Sequence, residues 1–289
     1  MIKKILLALT CLFLTTASYA KSKTFNVTLT TDNTIYLTTY FDSESVAKVM
    51  ARAKYLDSRM KSNEPLYFVL DSGGGSIWAG LELIENLRNL NRPVRTITMF
   101  AASMGFQTVN GLSTRLIQET GVLMAHKARG GFYGEFPGQL DSRYRLWLNR
   151  VTQMDKKVVK RTKGKHTLKS YRSLIENEYW CEGQECIDQG FADVLVRAKC
   201  DKSLSGFREE NYRFLWNGHA IELVWTYDAC PLNTGELNFQ IYVDGKKLFT
   251  RPGDKTGPSN VYIQDVEEFN RKVNEMKESR INRKVSKSY

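Results

Sequence analysis

The 289-residue chain lacks several features that define familiar protein classes. After the first twenty residues no apolar run is long enough to cross a membrane, which excludes a protein with several membrane-spanning helices. No internal repeat or low-complexity block appears, which excludes repeat and compositionally biased architectures. With 42% hydrophobic and 25% charged residues, the composition is that of a globular protein.

The first twenty residues have the pattern of a secretory signal peptide. Two lysines precede an apolar stretch over residues 5–14, and small residues before Ala20 resemble a cleavage site. We therefore expect a signal peptide over residues 1–20, cleaved after Ala20, and an exported protein that is periplasmic or secreted. An uncleaved anchor or a lipid anchor is the alternative.

Four cysteines remain after such a cleavage, and none has the C-x-x-C spacing of common zinc sites. In an oxidising compartment four cysteines form two disulfides with three possible connectivities. We favour the pairs that are near in sequence, because the second of them would close a β-hairpin region: Cys181 with Cys186, and Cys200 with Cys230. No metal or cofactor is expected.

The formal net charge is +11, and much of the excess lies in residues 156–169 and 271–287. A basic balance can indicate nucleic-acid binding, but export favours an anionic envelope surface or an acidic protein as the partner of the basic tail. A solvated helical face with a frayed tail is the alternative. Nucleic acid is the disfavoured partner.

Strand-like and helix-like segments alternate in the first half of the chain. The continuous apolar run PLYFVLDS is typical of a buried parallel strand, a capped helix begins at Ser43, and GVLMAHKA is a predicted strand ending at His126. This alternation predicts an α/β fold with parallel strands and right-handed crossovers. A long charged amphipathic helix is predicted over 139–163, and a shorter helix over about 167–178.

The pattern changes near Cys200. Residues 207–250 are strand-like, with hairpin turn signals at Asn217-Gly218 and Asp244-Gly245. A stretch rich in proline and glycine then precedes a basic helix. We therefore divide the chain into a signal peptide, an α/β domain, a β-rich appended module and a basic helical tail, at residues 1–20, 21–198, 199–258 and 259–289.

Three consecutive strand ends carry residues suited to chemistry. DSGGGS (71–76) follows a predicted buried strand and opens a helix, where backbone N–H groups can face an anion. It matches neither G-x-G-x-x-G nor G-K-[ST], and a packing turn without a ligand is the alternative. Ser103, in FAASMGF, lies on the next strand-to-helix turn, and His126 ends the following strand. We expect all three to meet at one sheet edge.

The surroundings of Ser103 suit acyl-transfer chemistry. The amides of Gly75 and Met104 are candidates for binding an oxyanion beside the serine hydroxyl. The two other histidines, His166 and His219, fall in a basic helical stretch and a hairpin turn.

The motifs DSGGGSIWAGLELIENL, AASMG and LMAHKARGGF, in this order and spacing, resemble the Clp protease proteolytic subunit within the wider crotonase-like superfamily. The similarity covers about residues 25–198, including the long helix and ECIDQGFAD. It implies repeated β-β-α units with a long handle helix, and a serine peptidase with a Ser-His-acid triad. Ser103 maps to the nucleophile, His126 to the base, and Gly75 and Met104 to the oxyanion amides.

The third member of the triad is where the sequence departs from the family. Counting back without gaps from Gly190 and Asp193, the position of the family's aspartate holds Glu178. Glutamate can orient an imidazole, but its additional methylene requires a displaced backbone or a different rotamer. Three nearby residues are alternatives: Glu176, Asn177 and Glu182.

The resemblance also predicts how substrate binds and how subunits assemble. RGGFYG (129–134) matches the family's strand beside the site, where a polypeptide adds as a further strand, so we expect Gly74, Gly130 and Gly131 to contact substrate. A glycine-rich surface loop is the alternative. The handle helix implies a homo-oligomer, while export makes an ATPase partner unexpected because ATP is scarce outside the cell.

The leading hypothesis is an exported, ATP-independent serine endopeptidase that cleaves extended or unfolded polypeptides. A catalytically weak scaffold that binds peptides or envelope partners is the first alternative. An acyl-CoA enzyme of the crotonase type is less favoured, because export separates it from coenzyme A. A Ser-Lys dyad through Lys127 is disfavoured, because strand alternation points this side chain away from the face of His126.

Overall fold

The computed structural model describes residues 24–59, 64–216, 218–252 and 271. The predicted signal peptide lies outside the described residues, as does the predicted basic tail apart from Arg271. No helix within the described ranges is long and apolar enough to span a membrane.

Strands and helices alternate through the first two thirds of the chain, as predicted. The described elements are β1 (Phe25–Leu29), β2 (Thr34–Leu37), α1 (Ser43–Arg59), β3 (Leu66–Ser72), α2 (Ile77–Arg88), β4 (Val94–Ala102), α3 (Met104–Gly111), β5 (Thr114–Ala125), α4 (Gly138–Arg161), α5 (Leu168–Leu174), β6 (Tyr179–Glu182), α6 (Gly183–Asp188), β7 (Val194–Cys200), β8 (Phe207–Trp216), β9 (His219–Asp228), β10 (Glu236–Val243) and β11 (Lys246–Pro252).

The first sheet has the strand order β1-β7-β5-β4-β3-β2, and its neighbours in this order are parallel. Short strand β6 pairs antiparallel with the last part of β5. Connections through helices put the carboxyl ends of β3, β4 and β5 at one edge. The predicted α/β fold is therefore confirmed.

Two predicted boundaries were wrong. Strand β5 begins at Thr114 rather than near Gly121, and it ends at Ala125, so His126 follows the strand instead of ending it. The polar residues in the middle of β5 interrupt the apolar pattern where the pairing with β4 shifts register. The predicted helix over 167–178 stops at Leu174, and one turn of 3₁₀ helix continues to Asn177.

The apolar core lies on both faces of the first sheet. Helices α1, α2 and α3 cover one face with residues such as Leu83 and Phe106, which are at most 1% exposed. The other face carries Leu29, Val69 and Ile97, and Leu232 from the segment after β9 packs against it. The appended module therefore contributes to the core of the α/β domain.

The appended module is a four-stranded antiparallel sheet in the order β11-β10-β9-β8, as the β-rich pattern predicted. Asp244 and Gly245 both have positive φ, 48° and 76°, as a type I′ hairpin turn requires. At the other predicted turn, Gly218 has a φ of 79°, while Asn217 lies outside the described residues.

Both favoured cysteine pairs are disulfides in the structure. Cys181 and Cys186 have Cα atoms 5.2 Å apart, and Cys200 and Cys230 have Cα atoms 5.9 Å apart. The second bond does not close a hairpin, however. It joins the end of β7 to the segment between β9 and β10, and so it ties the appended module to the α/β domain.

Candidate active site

The glycine turn after β3 adopts a backbone that other residues would strain. Gly74 has a φ of 101°, and a Cβ atom there would lie 2.7 Å from the Cβ of Ser103 and 2.9 Å from the Met104 nitrogen. Only a glycine allows this close approach between the turn and the serine. Ser76 then caps α2, since its side chain accepts a hydrogen bond from the Ala79 N–H.

The N–H of Gly75 points away from the neighbouring segment around Phe41. The Phe41 N–H donates to the Gly74 carbonyl at 2.8 Å, and the Ser76 N–H donates to the Phe41 carbonyl at 2.7 Å. In such a parallel bridge the bonds use the residues on either side of Gly75, so the Gly75 N–H points to the opposite side.

Ser103 lies on a sharp turn between a strand and a helix. It has φ 55° and ψ −111°, a conformation that costs energy in a residue other than glycine and is found at functional sites. Its own N–H donates to the Met124 carbonyl at 2.9 Å, which fixes the turn against β5. Met104 is the first residue of α3, so its N–H has no acceptor within the helix.

His126 lies beside this serine. Its Nε2 and the Ser103 Oγ are 2.7 Å apart, a hydrogen bond between the two side chains. The other ring nitrogen, Nδ1, is buried and has no hydrogen-bond partner among the described residues. One side of the imidazole is therefore engaged and the other is not.

The carboxylate of Glu178 is bonded to a residue other than His126. The antiparallel pairing of β5 with β6 ends at Ala125–Tyr179, and His126 and Glu178 are the next residue on either side of this pair. The Glu178 carboxylate instead accepts a hydrogen bond from Arg129, at 3.2 Å from Nη2 to Oε1. Glu178 also has a φ of 69°, which ends the strand pairing.

The three alternatives to Glu178 are also not bonded to His126. Glu176 forms an ion pair with Lys127, so the lysine points to this carboxylate rather than to Ser103. Glu182 pairs with Val122, four residues further into the sheet than Glu178 and His126. Asn177 ends the 3₁₀ turn.

A cleft of about 900 Å³ opens at Ser103 and His126. Gly75, Met104, Gly130 and Gly131 line it, so the structure brings together most of the predicted site residues. Gly74 lies behind Ser103 instead. A Cβ atom at Gly130 or Gly131 would meet nothing within 4 Å, so this segment is open to a ligand.

Aromatic side chains form one wall of the cleft. Trp78 and Trp147 meet edge to face with ring centroids 5.2 Å apart, and Phe132 lies 6.3 Å from Trp147. Trp78 is 49% exposed. The wall offers apolar surface to side chains of a bound ligand.

A charged pair also lines the cleft and was not predicted. Asp155 is 5% exposed and accepts a hydrogen bond from Arg172 Nε at 2.8 Å, while Arg172 Nη2 donates to Thr152 at 2.9 Å. Burial raises the pKa of Asp155, and Arg172 offsets part of that rise. The one sequence signal was a carboxylate on the inner stripe of an amphipathic helix, near Met154.

The strand–turn–helix at Ser103, with a histidine bonded to the hydroxyl, defines the class of site found in serine hydrolases. The Clp protease family model matches residues 18–199. The chain belongs to the Clp protease family.

Curated relatives share this similarity at low identity. The ATP-dependent Clp protease proteolytic subunit of Streptococcus mutans is 26% identical over 171 residues, which are 57% of this chain and 85% of the relative. The subunits of the same name from Streptococcus uberis and Streptococcus equi subsp. equi are 26% identical over 169 and 168 residues, with the same coverage. The appended module lies beyond the family match.

Proposed function

We propose that this chain is an exported serine endopeptidase that cleaves extended or unfolded polypeptides without an ATP-driven partner. Ser103 is the nucleophile, His126 the general base, and Gly75 and Met104 the donors of the oxyanion hole. The observation that carries this proposal is the 2.7 Å hydrogen bond between Ser103 Oγ and His126 Nε2, at a strand-to-helix turn with positive φ.

The reaction follows from these positions. His126 Nε2 takes the proton of the Ser103 hydroxyl as Oγ attacks the peptide carbonyl, and the oxyanion accepts hydrogen bonds from the Gly75 and Met104 N–H groups. The protonated His126 then gives the proton to the leaving amine as the C–N bond breaks. In deacylation His126 takes a proton from water as the water oxygen attacks the acyl carbon, and gives that proton to Ser103 Oγ as the ester C–O bond breaks.

Glu178 is the proposed orienting acid. Two observations support it: His126 and Glu178 both adjoin the last ladder pair, Ala125–Tyr179, and His126 Nδ1 has no hydrogen-bond partner among the described residues. A carboxylate hydrogen-bonded to Nδ1–H fixes the tautomer in which Nε2 is the base. The unpaired Nδ1 also favours the alternative of a catalytically weak peptide-binding scaffold.

Substrate and assembly follow from exposed surfaces. The open backbone around Gly130 and Gly131 supports binding of an extended polypeptide by main-chain hydrogen bonds, beside the aromatic wall.

Helix α4 buries few residues along its length, and Tyr144, Leu146 and Leu148 are more than half exposed. Such apolar exposure supports association with a second copy of the chain.

Export is supported by two features. The first is the signal-like pattern over residues 1–20, and the second is the presence of two disulfides, which persist in oxidising compartments. Because ATP is scarce there, hydrolysis without an ATPase partner follows from export. A basic tail that contacts an anionic envelope surface is part of the same proposal.

A fluorophosphonate probe tests the chemistry. The wild-type protein is expected to be labelled and to hydrolyse an unfolded protein substrate, and Ser103→Ala should abolish both, with a loss of roughly 10⁴-fold or more in turnover. His126→Ala should lose turnover to a similar degree. Ser173→Ala is the matched control, because Ser173 also lines the cleft.

Two outcomes would overturn the proposal. Labelling that survives Ser103→Ala would remove the nucleophile assignment. A folded wild-type protein that is not labelled but binds unfolded polypeptide would favour the scaffold.

A further inference from the structure

The two sides of the His126 ring differ in a way that points to a positioning role for Arg129. We infer that Arg129 holds the Glu178 carboxylate away from His126 Nδ1, and that an extended peptide bound along residues 129–131 displaces Arg129 and completes the triad. This inference rests on the proposed function. Its consequence is a preference for long, extended substrates over short ones.

Several contacts hold Glu178 beside the segment that carries His126. The last ladder pair is Ala125–Tyr179, and His126 and Glu178 are the next residue on either side of it. Two ion pairs, Lys127 with Glu176 and Arg129 with Glu178, continue the contact between the same two segments. In the proposed movement the Glu178 side chain rotates, and its carboxylate passes from Arg129 to Nδ1.

The ion pair that now holds Glu178 is easily broken. The Arg129 side chain is 79% exposed and that of Glu178 is 37% exposed, with one hydrogen bond of 3.2 Å between them. Water and salt screen such a pair, and holding two long side chains in one geometry costs entropy. The buried Nδ1 of His126, by contrast, has no hydrogen-bond partner in the described part of the chain, so it gains from a carboxylate.

Arg129 lies on the segment where the substrate is proposed to bind. Residues 126–133 belong to no helix or strand in the described structure, and Gly130 and Gly131 follow Arg129 directly. A peptide that adds as a strand must extend this backbone and fix the direction of each side chain along it. The Arg129 side chain then leaves its present position, and Glu178 is released.

The experiment compares a short and a long substrate. The short one is an activated acetyl ester, which occupies only the surroundings of Ser103, and the long one is a fluorogenic extended peptide of about ten residues, enough to pair along the segment at roughly 3.3 Å per residue. Arg129→Gln is expected to raise kcat for the ester about threefold, because an exposed ion pair holds Glu178 only weakly, and to leave kcat for the peptide unchanged. Arg129→Lys retains the charge and should behave as the wild type.

Two further variants separate this effect from a general change in structure. In a Glu178→Gln background Arg129→Gln should no longer change kcat for either substrate, because the carboxylate that Arg129 holds is gone. Arg213→Gln is the matched control, since Arg213 is 72% exposed and pairs with Glu222 in the appended module. It should leave the ester-to-peptide ratio unchanged.

The outcomes distinguish this inference from the proposed function. Ser103-dependent hydrolysis with an ester-to-peptide ratio that Arg129→Gln does not change would overturn the role of Arg129 alone. An equal change in the Glu178→Gln background would do the same. Absence of Ser103-dependent hydrolysis in every variant would overturn the proposed function itself.

Discussion

The two ends of strand β5 each carry an arginine bonded to a carboxylate, and the two pairs differ in almost every physical respect. Arg115, near the start of the strand, pairs with Asp193. Arg129, four residues beyond its end, pairs with Glu178. One pair lies inside the fold and the other lies on its surface.

The first pair is part of the framework. The Arg115 side chain is 1% exposed and donates to both Asp193 oxygens, at 3.1 Å from Nε and 2.6 Å from Nη2. It also donates to the Asn110 side chain and the Gly190 carbonyl, and Asp193 in turn binds the Arg115 backbone N–H. Arg115 thereby joins β5, α3 and the loop before β7.

The second pair makes one hydrogen bond in solvent. Its weakness is informative, because it holds the carboxylate that we propose as the orienting acid, while the strong pair holds no residue of the proposed reaction. The buried pair fixes the amino-terminal end of β5, opposite to the end that His126 follows. The exchangeable pair is at the point where the proposed chemistry needs a carboxylate to move.

The largest effect is expected from breaking the buried pair. Arg115→Met should destabilise the protein by about 3–5 kcal/mol, because Asp193 is left as a partly buried charge without its main partner. Urea unfolding followed by circular dichroism measures this free energy. Arg213→Gln, which removes an exposed pair, serves as control; a loss below about 1 kcal/mol in Arg115→Met would show that the buried pair does not hold the framework.

A second, smaller effect is expected from Asp193→Asn, and it should depend on pH in the acid range. Burial alone would raise the pKa of Asp193, but its hydrogen bonds and charge interactions with Arg115 outweigh this and hold the pKa below its ordinary value of 3.8. The stabilisation is therefore present above the unfolded pKa and lost as pH falls through the folded one. Asp193→Asn should cost about 1.5–3 kcal/mol at neutral pH, as expected for hydrogen bonds to a charged group.

The free energy difference between wild type and Asp193→Asn should stay constant from pH 7 to about pH 5 and shrink between about pH 5 and pH 3. Asp155, whose pKa is raised by burial, acts in the opposite direction but is present in both proteins and cancels. Unfolding measured at several pH values checks this. A difference that does not change down to pH 3 would contradict the lowered pKa.

Much of this arrangement follows from local sequence patterns. The apolar strands, the glycine turn and the serine after β4 were predictable, because parallel strands bring their ends to one edge and only glycines permit the approach of Gly74 to Ser103. The cysteine pairs near in sequence were also predicted correctly. These features depend on contacts between neighbouring elements or between residues close in the chain.

Other features depend on side-chain contacts that no local pattern contains. The partner of Glu178 is set by the path of residues 126–133, which lack periodic structure and hence a readable pattern. Asp155 meets Arg172 only because α4 and α5 pack together. The bond from Cys200 to Cys230 joins two sheets, and neither residue indicates this alone.

The smallest effect on stability is expected from Arg129→Gln, the substitution proposed to act on catalysis. Arg129→Gln should change the free energy of unfolding by less than about 1 kcal/mol, because an exposed ion pair contributes little and salt screens it further. Urea unfolding at low and high salt measures this, and the difference from the wild type should narrow as salt is added. A loss of 2 kcal/mol or more, roughly twice the upper value for exposed pairs, would make Arg129 a structural residue like Arg115. Its effect on the ester-to-peptide ratio would then reflect a damaged fold rather than the release of Glu178.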